Sequence, residues 1–295
     1  MFEKFKANIL FEKLLARPDI DKAYAMVGPE DSWYDTITTV HNSLAQIQKL
    51  PHEVLEIASE DGLKLQAIYY PCEGSNKTMI WVHGYTSHAE RESAFPALFY
   101  RSLGFNVLIP YLRAHGPSEG TYIALGALEH RDMMKWVEKV NEIHPCGQIL
   151  IHGLSMGGGI VLDLADKEMP NVKCLIADAP SVTVDGLFRD VSGHVFKKDG
   201  GKVCARVLER FQKEFGVDAA QFNRIETVKQ GRYPLLLSAG SNENMDDVLG
   251  QIKANNPMGT TVLILPGCNH GNGMYKQTEI YQGAIRAFVN RNMHL

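Results

Sequence analysis

Residues 148–158 of this chain carry the sequence QILIHGLSMGG, and this stretch decides the fold. It opens with a short apolar run that is typical of a buried strand, and it leads into residues 158–167, which suit a helix. Between them, Gly153 to Gly157 form a G-x-S-x-G pattern. The glycines leave room for a tight strand-to-helix turn, on which a strained, exposed serine can act as a nucleophile. The pattern therefore predicts Ser155 as a catalytic nucleophile.

The alternation of strand and helix continues on both sides of this turn. Short apolar runs, many of them β-branched, are typical of strands buried on both faces, and they occur at Met79–Val82, Phe105–Ile109, Ile149–Ile151, Val172–Ala177, Leu235–Leu237 and Thr261–Leu265. Stretches that suit helices lie between or after them, at Gly126–Ile143, Gly158–Lys167 and Tyr275–Asn290. This alternation predicts a mostly parallel central sheet flanked by helices. Apolar runs on both sides of the turn Glu60-Asp61-Gly62 predict a β-hairpin that precedes the parallel strands in the sequence.

Two segments depart from this alternation. In residues 1–51, apolar side chains recur at helical spacing between charged ones, and a second helical stretch runs from Trp33 to Leu50 before Pro51. We interpret this segment as an N-terminal helical extension packed on the domain, with an oligomer contact or a lid over the site as alternatives. Residues 181–230 form a segment that is too long for a single connection between two parallel strands. Helical stretches within it, at Val203–Phe215 and Ala219–Val228, predict a helical cap. We expect this cap to be inserted into an α/β domain of residues 52–295.

The composition of the chain limits the kinds of molecule that we expect it to bind. The 295 residues carry a net charge of −4 without a Lys/Arg-rich block, which disfavours nucleic acid and favours a small-molecule substrate. Charged residues interrupt the apolar positions near the start of the chain, so we expect neither a signal peptide nor a membrane span. We therefore expect a cytoplasmic protein. Five scattered cysteines without a CxxC pair predict neither disulfides nor a zinc site. No nucleotide-binding glycine pattern occurs, and we expect no cofactor and no metal.

Two further loops follow predicted strand ends. In the first, residues 81–86 (WVHGYT), a glycine lets the backbone approach the reacting carbon, and we predict the N–H of Tyr85 as one oxyanion donor. The N–H of Met156, directly after the predicted nucleophile, is the second. His83 in the same loop is interpreted as a residue that shapes the loop.

The second loop, residues 263–271 (LILPGCNHG), places His270 between glycines after the last predicted strand. A histidine that comes last in chain order suits a serine–acid–histidine arrangement, so we predict His270 as the general base. Cys268, two residues earlier, is an alternative nucleophile, but the G-x-S-x-G turn favours Ser155.

Together these motifs resemble those of the α/β-hydrolase superfamily, and residues 52–293 are similar to bacterial prolyl-oligopeptidase-like esterases. Residues 111–120 (YLRAHGPSEG) resemble that family's D-x-R-G-H-G-x-S-x-G loop after the fourth strand, and Ser59–Leu63 resembles its N-terminal hairpin. The resemblance implies the α/β-hydrolase fold. Tyr111 and Ala114 stand where the family usually carries Asp and Gly, which should alter loop packing. Arg113 and His115 in this loop are interpreted as structural.

The resemblance also implies the acid of a catalytic triad. The family's acid loop usually carries H-G-x-x-D, and the matching residues 239–243 here are AGSNE. Glu243 is therefore the implied acid. Asp246 and Asp247 remain alternatives because a shifted loop could present either, and Asp178 at the end of the sixth strand is a further one.

The activity that the resemblance implies is hydrolysis of a carboxylic ester through an acyl-enzyme on Ser155, with the cap setting the preferred acyl length. Cleavage of a peptide or amide and hydrolysis of a thioester use the same triad and stay open. A non-catalytic ligand-binding protein of the same fold is the alternative from a different class.

Overall fold

An eight-stranded sheet forms the centre of the molecule in a computed structural model that describes residues 2–19, 31 and 33–293. The strand order is β1-β2-β4-β3-β5-β6-β7-β8. β1 and β2 form an antiparallel hairpin, β2 pairs antiparallel with β4, and β3 to β8 run parallel. The strands are β1 Glu53–Ala58, β2 Lys64–Tyr70, β3 Lys77–Val82, β4 Asn106–Pro110, β5 Gln148–Leu154, β6 Val172–Asp178, β7 Leu235–Gly240 and β8 Thr260–Leu265.

Helices cover both faces of this sheet. In chain order they are α1 Phe2–Leu15, α2 Ile37–Ile47, α3 Ala89–Ser102, α4 Glu129–Ile143, α5 Met156–Asp163, α6 Gly186–Phe196, α7 Gly200–Phe215, α8 Arg224–Thr227, α9 Asp246–Asn255, α10 Gly273–Lys276 and α11 Thr278–Asn292. Short 3₁₀ turns lie at Tyr34–Thr36, Lys197–Asp199, Ala219–Gln221, Val228–Gln230 and Ser241–Glu243.

The helices divide between two apolar cores, one on each face of the sheet. Trp136 of α4 and Ile160 of α5 belong to the first core, while Ala94 of α3 and Ile285 of α11 belong to the second. Strands between two such layers are buried on both faces, which explains their continuous apolar sequence. The predicted hairpin and mostly parallel sheet flanked by helices are confirmed.

Two helix bounds differ from the predicted ones. The helix predicted from Gly126 begins at Glu129, because the Glu129 carboxylate accepts the N–H groups of Ala124 and Gly126 and holds these residues in a loop. The helix predicted over Gly158–Lys167 instead follows the serine directly, over Met156–Asp163.

The interval 181–230 contains helices, as predicted, but their arrangement differs. α6 was not predicted, and the single helix expected over Ala219–Val228 is wrong. The Asp218 and Asn223 side chains accept the N–H groups of Ala220 and Ile225, and each starts its own short turn.

The two helices of the N-terminal extension pack on opposite faces of the sheet. Phe11 and Leu15 of α1 are fully buried in the first core, and Ile47 of α2 is fully buried in the second. The stretch predicted as a helix over Trp33–Leu50 is a 3₁₀ turn followed by α2, Ile37–Ile47. The division of the chain at residue 51 stays a prediction.

Candidate active site

Ser155 lies on the turn between β5 and α5 in a strained backbone conformation, with φ 59° and ψ −114°. A non-glycine residue persists there only when its surroundings fix it. The Ser155 N–H donates to the Asp178 carbonyl over 2.8 Å. A Cβ at Gly157 would overlap the carbonyl oxygens of Val82 and His83, so glycine at this position lets the turn approach the end of β3. These contacts present the serine side chain at the carboxyl edge of the sheet.

A continuous hydrogen-bonded chain joins Ser155, His270 and Glu243. His270 Nε2 lies 2.8 Å from Ser155 Oγ, and His270 Nδ1 lies 2.5 Å from Glu243 Oε2. The imidazole is 57% exposed, whereas the Glu243 side chain is only 8% exposed. The hydrogen bond that His270 Nδ1–H donates to Glu243 raises the pKa of His270 above its ordinary value, since it favours the imidazolium. The arrangement can accept a proton from the serine and stabilise the resulting charge.

Glu243 reaches the histidine from the 3₁₀ turn that follows β7. Its second carboxylate oxygen accepts the Gly240 N–H over 2.7 Å, which fixes the side chain across its own turn. A Cβ at Gly240 would overlap the Cys268 carbonyl, so this glycine lets the acid loop pack against the loop that carries His270. Glutamate and histidine are thus brought together by the pairing of β7 with β8.

The alternative residues lie elsewhere. Asp246 and Asp247 are exposed in the first turn of α9, where the positive end of the helix dipole stabilises carboxylates. Asp178 is buried and accepts the Tyr281 hydroxyl over 2.8 Å. The Sγ of Cys268 is buried and donates to the Pro266 carbonyl over 3.5 Å. The structure therefore brings Glu243, and none of these three aspartates, into hydrogen-bonding contact with His270 Nδ1.

A carboxylate that sequence analysis missed anchors the loop after β3. Both oxygens of Glu92 accept the Gly84 N–H, over 3.1 and 3.0 Å, and Oε1 also accepts Trp81 Nε1–H over 2.9 Å. Because the Gly84 N–H is occupied, the next amide, that of Tyr85, remains the predicted oxyanion donor. Burial raises the pKa of Glu92 to about 7. No local pattern marks this residue, because its contact depends on how α3 packs on β3.

The two predicted oxyanion residues are held from different sides. Met156 is the first residue of α5 and is almost fully buried. The hydroxyl of Tyr85 donates to the Leu14 carbonyl at the end of α1. The N-terminal helix therefore fixes a side chain of the loop whose backbone faces Ser155.

The loop that resembles the family's fourth-strand loop is held by polar contacts of the buried Arg113 and His83 side chains. Arg113 pairs with Asp61 and with Asp132, over 2.9 and 2.8 Å. His83 Nε2 accepts the Leu112 N–H over 3.1 Å, and burial lowers the pKa of the His83 imidazole. Ala114 adopts φ 60°, the left-handed conformation that explains glycine at this position in the family. These contacts suit the structural interpretation of the loop.

A pocket of about 250 Å³ opens at Ser155 and His270. Its walls combine the loops that carry Ser155 and His270 with the N-terminal extension. The lining residues are Trp33, Thr36, Ile37, Gly84, Tyr85, Thr86, Ser87, Glu92, Leu154, Ser155, His270, Gly271 and Tyr275. Of the described residues, none between 181 and 230 lines this pocket. This pocket therefore does not support the expectation that residues 181–230 set the preferred acyl length, which stays a prediction. α7 packs instead against α6 and α1.

Among residues 2–19, 31 and 33–293, no group of three or more His, Cys, Asp or Glu side chains is arranged to hold a metal ion. Across the same ranges, no helix has both the length and the apolar character needed to span a bilayer.

Comparison with known proteins supports a hydrolase. The family model Hydrolase_4, described as serine aminopeptidase, S33, matches residues 74–233, more than half of the chain. A multifunctional-autoprocessing repeats-in-toxin of Vibrio cholerae is 28% identical over 185 residues, which are 58% of this chain and 4% of the toxin. The uncharacterized protein YqkD of Bacillus subtilis is 29% identical over 147 residues, 49% of this chain and 48% of YqkD. The chain thus spans a small part of the toxin and about half of YqkD.

Solved structures share the architecture over nearly the whole chain. An esterase of Pyrococcus furiosus superposes with a TM-score of 0.66 at 23% identity, covering 91% of this chain and 96% of the esterase. An α/β hydrolase of Vibrio vulnificus superposes with a TM-score of 0.62 at 21% identity, covering 96% and 92%. At these identities the likeness establishes the fold, and the predicted α/β-hydrolase fold is confirmed.

Proposed function

The chain belongs to the serine aminopeptidase S33 (Hydrolase_4) family, and we propose that it is a serine hydrolase that cleaves a carboxylic ester of a small or medium substrate through an acyl-enzyme on Ser155. The single observation that carries the proposal is the hydrogen-bonded chain from Ser155 Oγ through His270 to Glu243, with links of 2.8 and 2.5 Å. A serine hydroxyl is otherwise a weak nucleophile, and hydrogen bonding to a histidine that is oriented by a carboxylate activates it.

The reaction follows from the positions of these groups. Ser155 Oγ attacks the ester carbonyl while His270 Nε2 takes its proton, and Glu243 stabilises the imidazolium. The oxyanion accepts hydrogen bonds from the N–H groups of Tyr85 and Met156. When the carbon–oxygen bond breaks, His270 returns the proton to the leaving alcohol. Water, deprotonated by His270, then attacks the acyl-enzyme and releases the acid and free Ser155.

The pocket chemistry favours an ester over an aminoacyl substrate. The family description suggests an aminopeptidase, and such an enzyme must bind the charged α-amino group of its substrate. Glu92 is the one carboxylate among the described residues that line the pocket. Its oxygens already accept the Gly84 N–H and Trp81 Nε1–H, so it has little capacity left for an ammonium group.

Two measurements test the proposal. A serine-directed fluorophosphonate should label the wild type on Ser155 alone, and Ser155→Ala should lose about 10⁶ in turnover, the cost of removing a triad nucleophile. Circular dichroism provides the control that the variant is folded. Retention of more than a few per cent of esterase activity by folded Ser155→Ala would exclude Ser155 as the nucleophile.

A substrate comparison separates the remaining activities. p-Nitrophenyl esters should be hydrolysed with a higher kcat/KM than aminoacyl p-nitroanilides. Faster turnover of the anilides would make the chain a peptidase. The absence of both labelling and turnover would favour a ligand-binding protein of the same fold.

A further inference from the structure

We infer that Trp33, in the N-terminal extension, limits the size of the group attached to the scissile ester and selects substrates in which this group is compact and apolar. The inference rests on the proposed ester hydrolysis and names the substrate class of that same site. It also assigns selection to a segment other than the inserted helices.

The dimensions and lining of the pocket favour a compact group. The pocket measures about 250 Å³, slightly below the range of about 300–1,000 Å³ that is typical of sites for drug-sized ligands. Trp33, Ile37, Leu154 and Tyr275 contribute apolar wall beside Ser155. A short or branched aliphatic group, or a single ring, suits this volume better than a long chain, which would have to leave the pocket.

Trp33 is held against the catalytic loop by specific contacts. Its ring packs edge-to-face on Tyr275, with 5.6 Å between centroids, and Tyr275 in turn packs on Phe95 at 5.1 Å. A Cβ at Gly271 would lie 3.0 Å from Trp33 Cζ2, so the indole lies close to the backbone next to His270. The Thr36 hydroxyl donates to the Trp33 carbonyl over 2.6 Å and fixes the turn that carries the ring.

Trp33 shares the pocket with the groups proposed to react. The indole, Ser155 and His270 all line it, and the indole lies against Gly271, the residue directly after His270. An aromatic ring with few rotatable bonds, packed on a second ring, resists displacement. Growth of the bound group therefore meets a fixed wall, and truncation of the indole should extend the pocket.

The first experiment compares Trp33→Ala with Tyr34→Ala. Tyr34 is the neighbouring aromatic residue, is 47% exposed and does not line the pocket, so it is a matched control. kcat/KM is measured for p-nitrophenyl esters from acetyl to dodecanoyl, and for acetate esters of alcohols of increasing length. Trp33→Ala should raise kcat/KM for the long members relative to the short ones by about ten-fold or more in one series, given that a single methylene changes specificity about 10- to 200-fold. Tyr34→Ala should keep the wild-type profile.

The series that responds identifies the side of the ester that occupies the pocket. A response of the p-nitrophenyl series assigns the pocket to the acyl group, and a response of the acetate series assigns it to the alcohol. Either response supports selection by Trp33. Trp33→Phe, which keeps an aromatic contact with Tyr275, should give an intermediate shift, and it answers the question if Trp33→Ala does not fold.

Failure of this inference is distinct from failure of the proposed function. An unchanged profile in both series, in a Trp33 variant that still hydrolyses esters and labels at Ser155, would overturn the assignment to Trp33 and leave the esterase proposal intact. If wild type neither labels nor hydrolyses any ester, the proposed function fails, and the inference fails with it.

Discussion

At the scale of single residues, a substitution that removes only the charge of Glu243 can test whether this residue is the triad acid. Glu243→Gln keeps the size of the side chain but replaces the charge that stabilises the imidazolium, so kcat should fall by up to about 10⁴, the loss known for an Asp→Asn change in a triad. Asp246→Asn changes an exposed carboxylate in the first turn of α9 and should stay within a few-fold of wild type. Steady-state hydrolysis of a p-nitrophenyl ester measures the kcat of both variants. A larger loss of kcat in Asp246→Asn than in Glu243→Gln would identify Asp246 as the acid.

Glu92 offers a test of the loop that carries the Tyr85 amide. Glu92→Gln should lower kcat by about 10- to 100-fold with little change in KM, because a loosened loop costs less than the loss of an oxyanion donor, about 10²–10³. Glu279→Gln, an exposed change of the same type in α11, is the matched control. Wild-type kcat in Glu92→Gln would show that the Gly84 contact does not position the loop.

The pH profile gives this prediction a second readout. His270, the proposed base, can accept a proton only when it is neutral. Its pKa is raised by Glu243 and, to a lesser extent, by Asp178 and Glu92. The acidic limb of kcat/KM should therefore lie above the ordinary histidine pKa of about 6.5. Because Glu92 has a pKa of about 7 and is only partly ionised near this limb, Glu92→Gln should move the limb to lower pH by a small amount, which a merely structural role would not do.

The sequence could predict which residues meet at the candidate site where a local pattern marks them. Ser155 and His270 each follow a strand within a glycine-containing motif, so position in the chain and chemistry coincide. Glu243 needed the family resemblance, because its loop lacks the usual aspartate. Glu92 and Trp33 could not be predicted, since α3 and the turn before α2 acquire their contacts with the site only through tertiary packing.

At the scale of elements, strands could be predicted better than short helices. Burial on both faces makes a strand a continuous apolar run, whereas residues 219–230 are divided by two side-chain caps that compete with one long helix. What holds this part of the chain is Arg224. Its guanidinium is fully buried, pairs with Asp163 over 2.7 Å and donates to the Leu125 carbonyl.

Arg224→Ala should therefore destabilise the protein strongly. Removal of one partner leaves the Asp163 carboxylate, 4% exposed, without its cation, and such losses cost about 3–5 kcal/mol in the free energy of unfolding. Arg206→Ala breaks an exposed pair with Glu209 in α7 and should cost about 0–1 kcal/mol. Urea denaturation measures both, and equal losses would show that the Arg224 pair does not stabilise the junction of α8 with α5.

At the scale of the whole molecule, the N-terminal extension is built into the hydrolase rather than appended to it. α1 joins the core on one face of the sheet and α2 the core on the other. Both halves also contact the rim of the site, since the Leu14 carbonyl accepts the Tyr85 hydroxyl and Trp33 lines the pocket. The helical spacing of apolar side chains in residues 1–51 predicts helices, but it does not reveal which surface they cover.

Two phenylalanines on α1 test this integration. Phe11 is fully buried, lies edge-to-face on Tyr122 at 5.2 Å and has the Arg210 guanidinium 4.0 Å from its centroid, whereas Phe5 on the same helix is 62% exposed. Phe11→Ala should lower the free energy of unfolding by about 3–5 kcal/mol, through lost burial and the cavity left behind. Phe5→Ala should change it by no more than about 0.5 kcal/mol. If α1 is part of the hydrolase core, urea denaturation of Phe11→Ala followed by tryptophan fluorescence and by circular dichroism should show one coincident transition at lower urea. A separate early transition of the extension, with the main transition unmoved, would instead make residues 1–51 an independent unit.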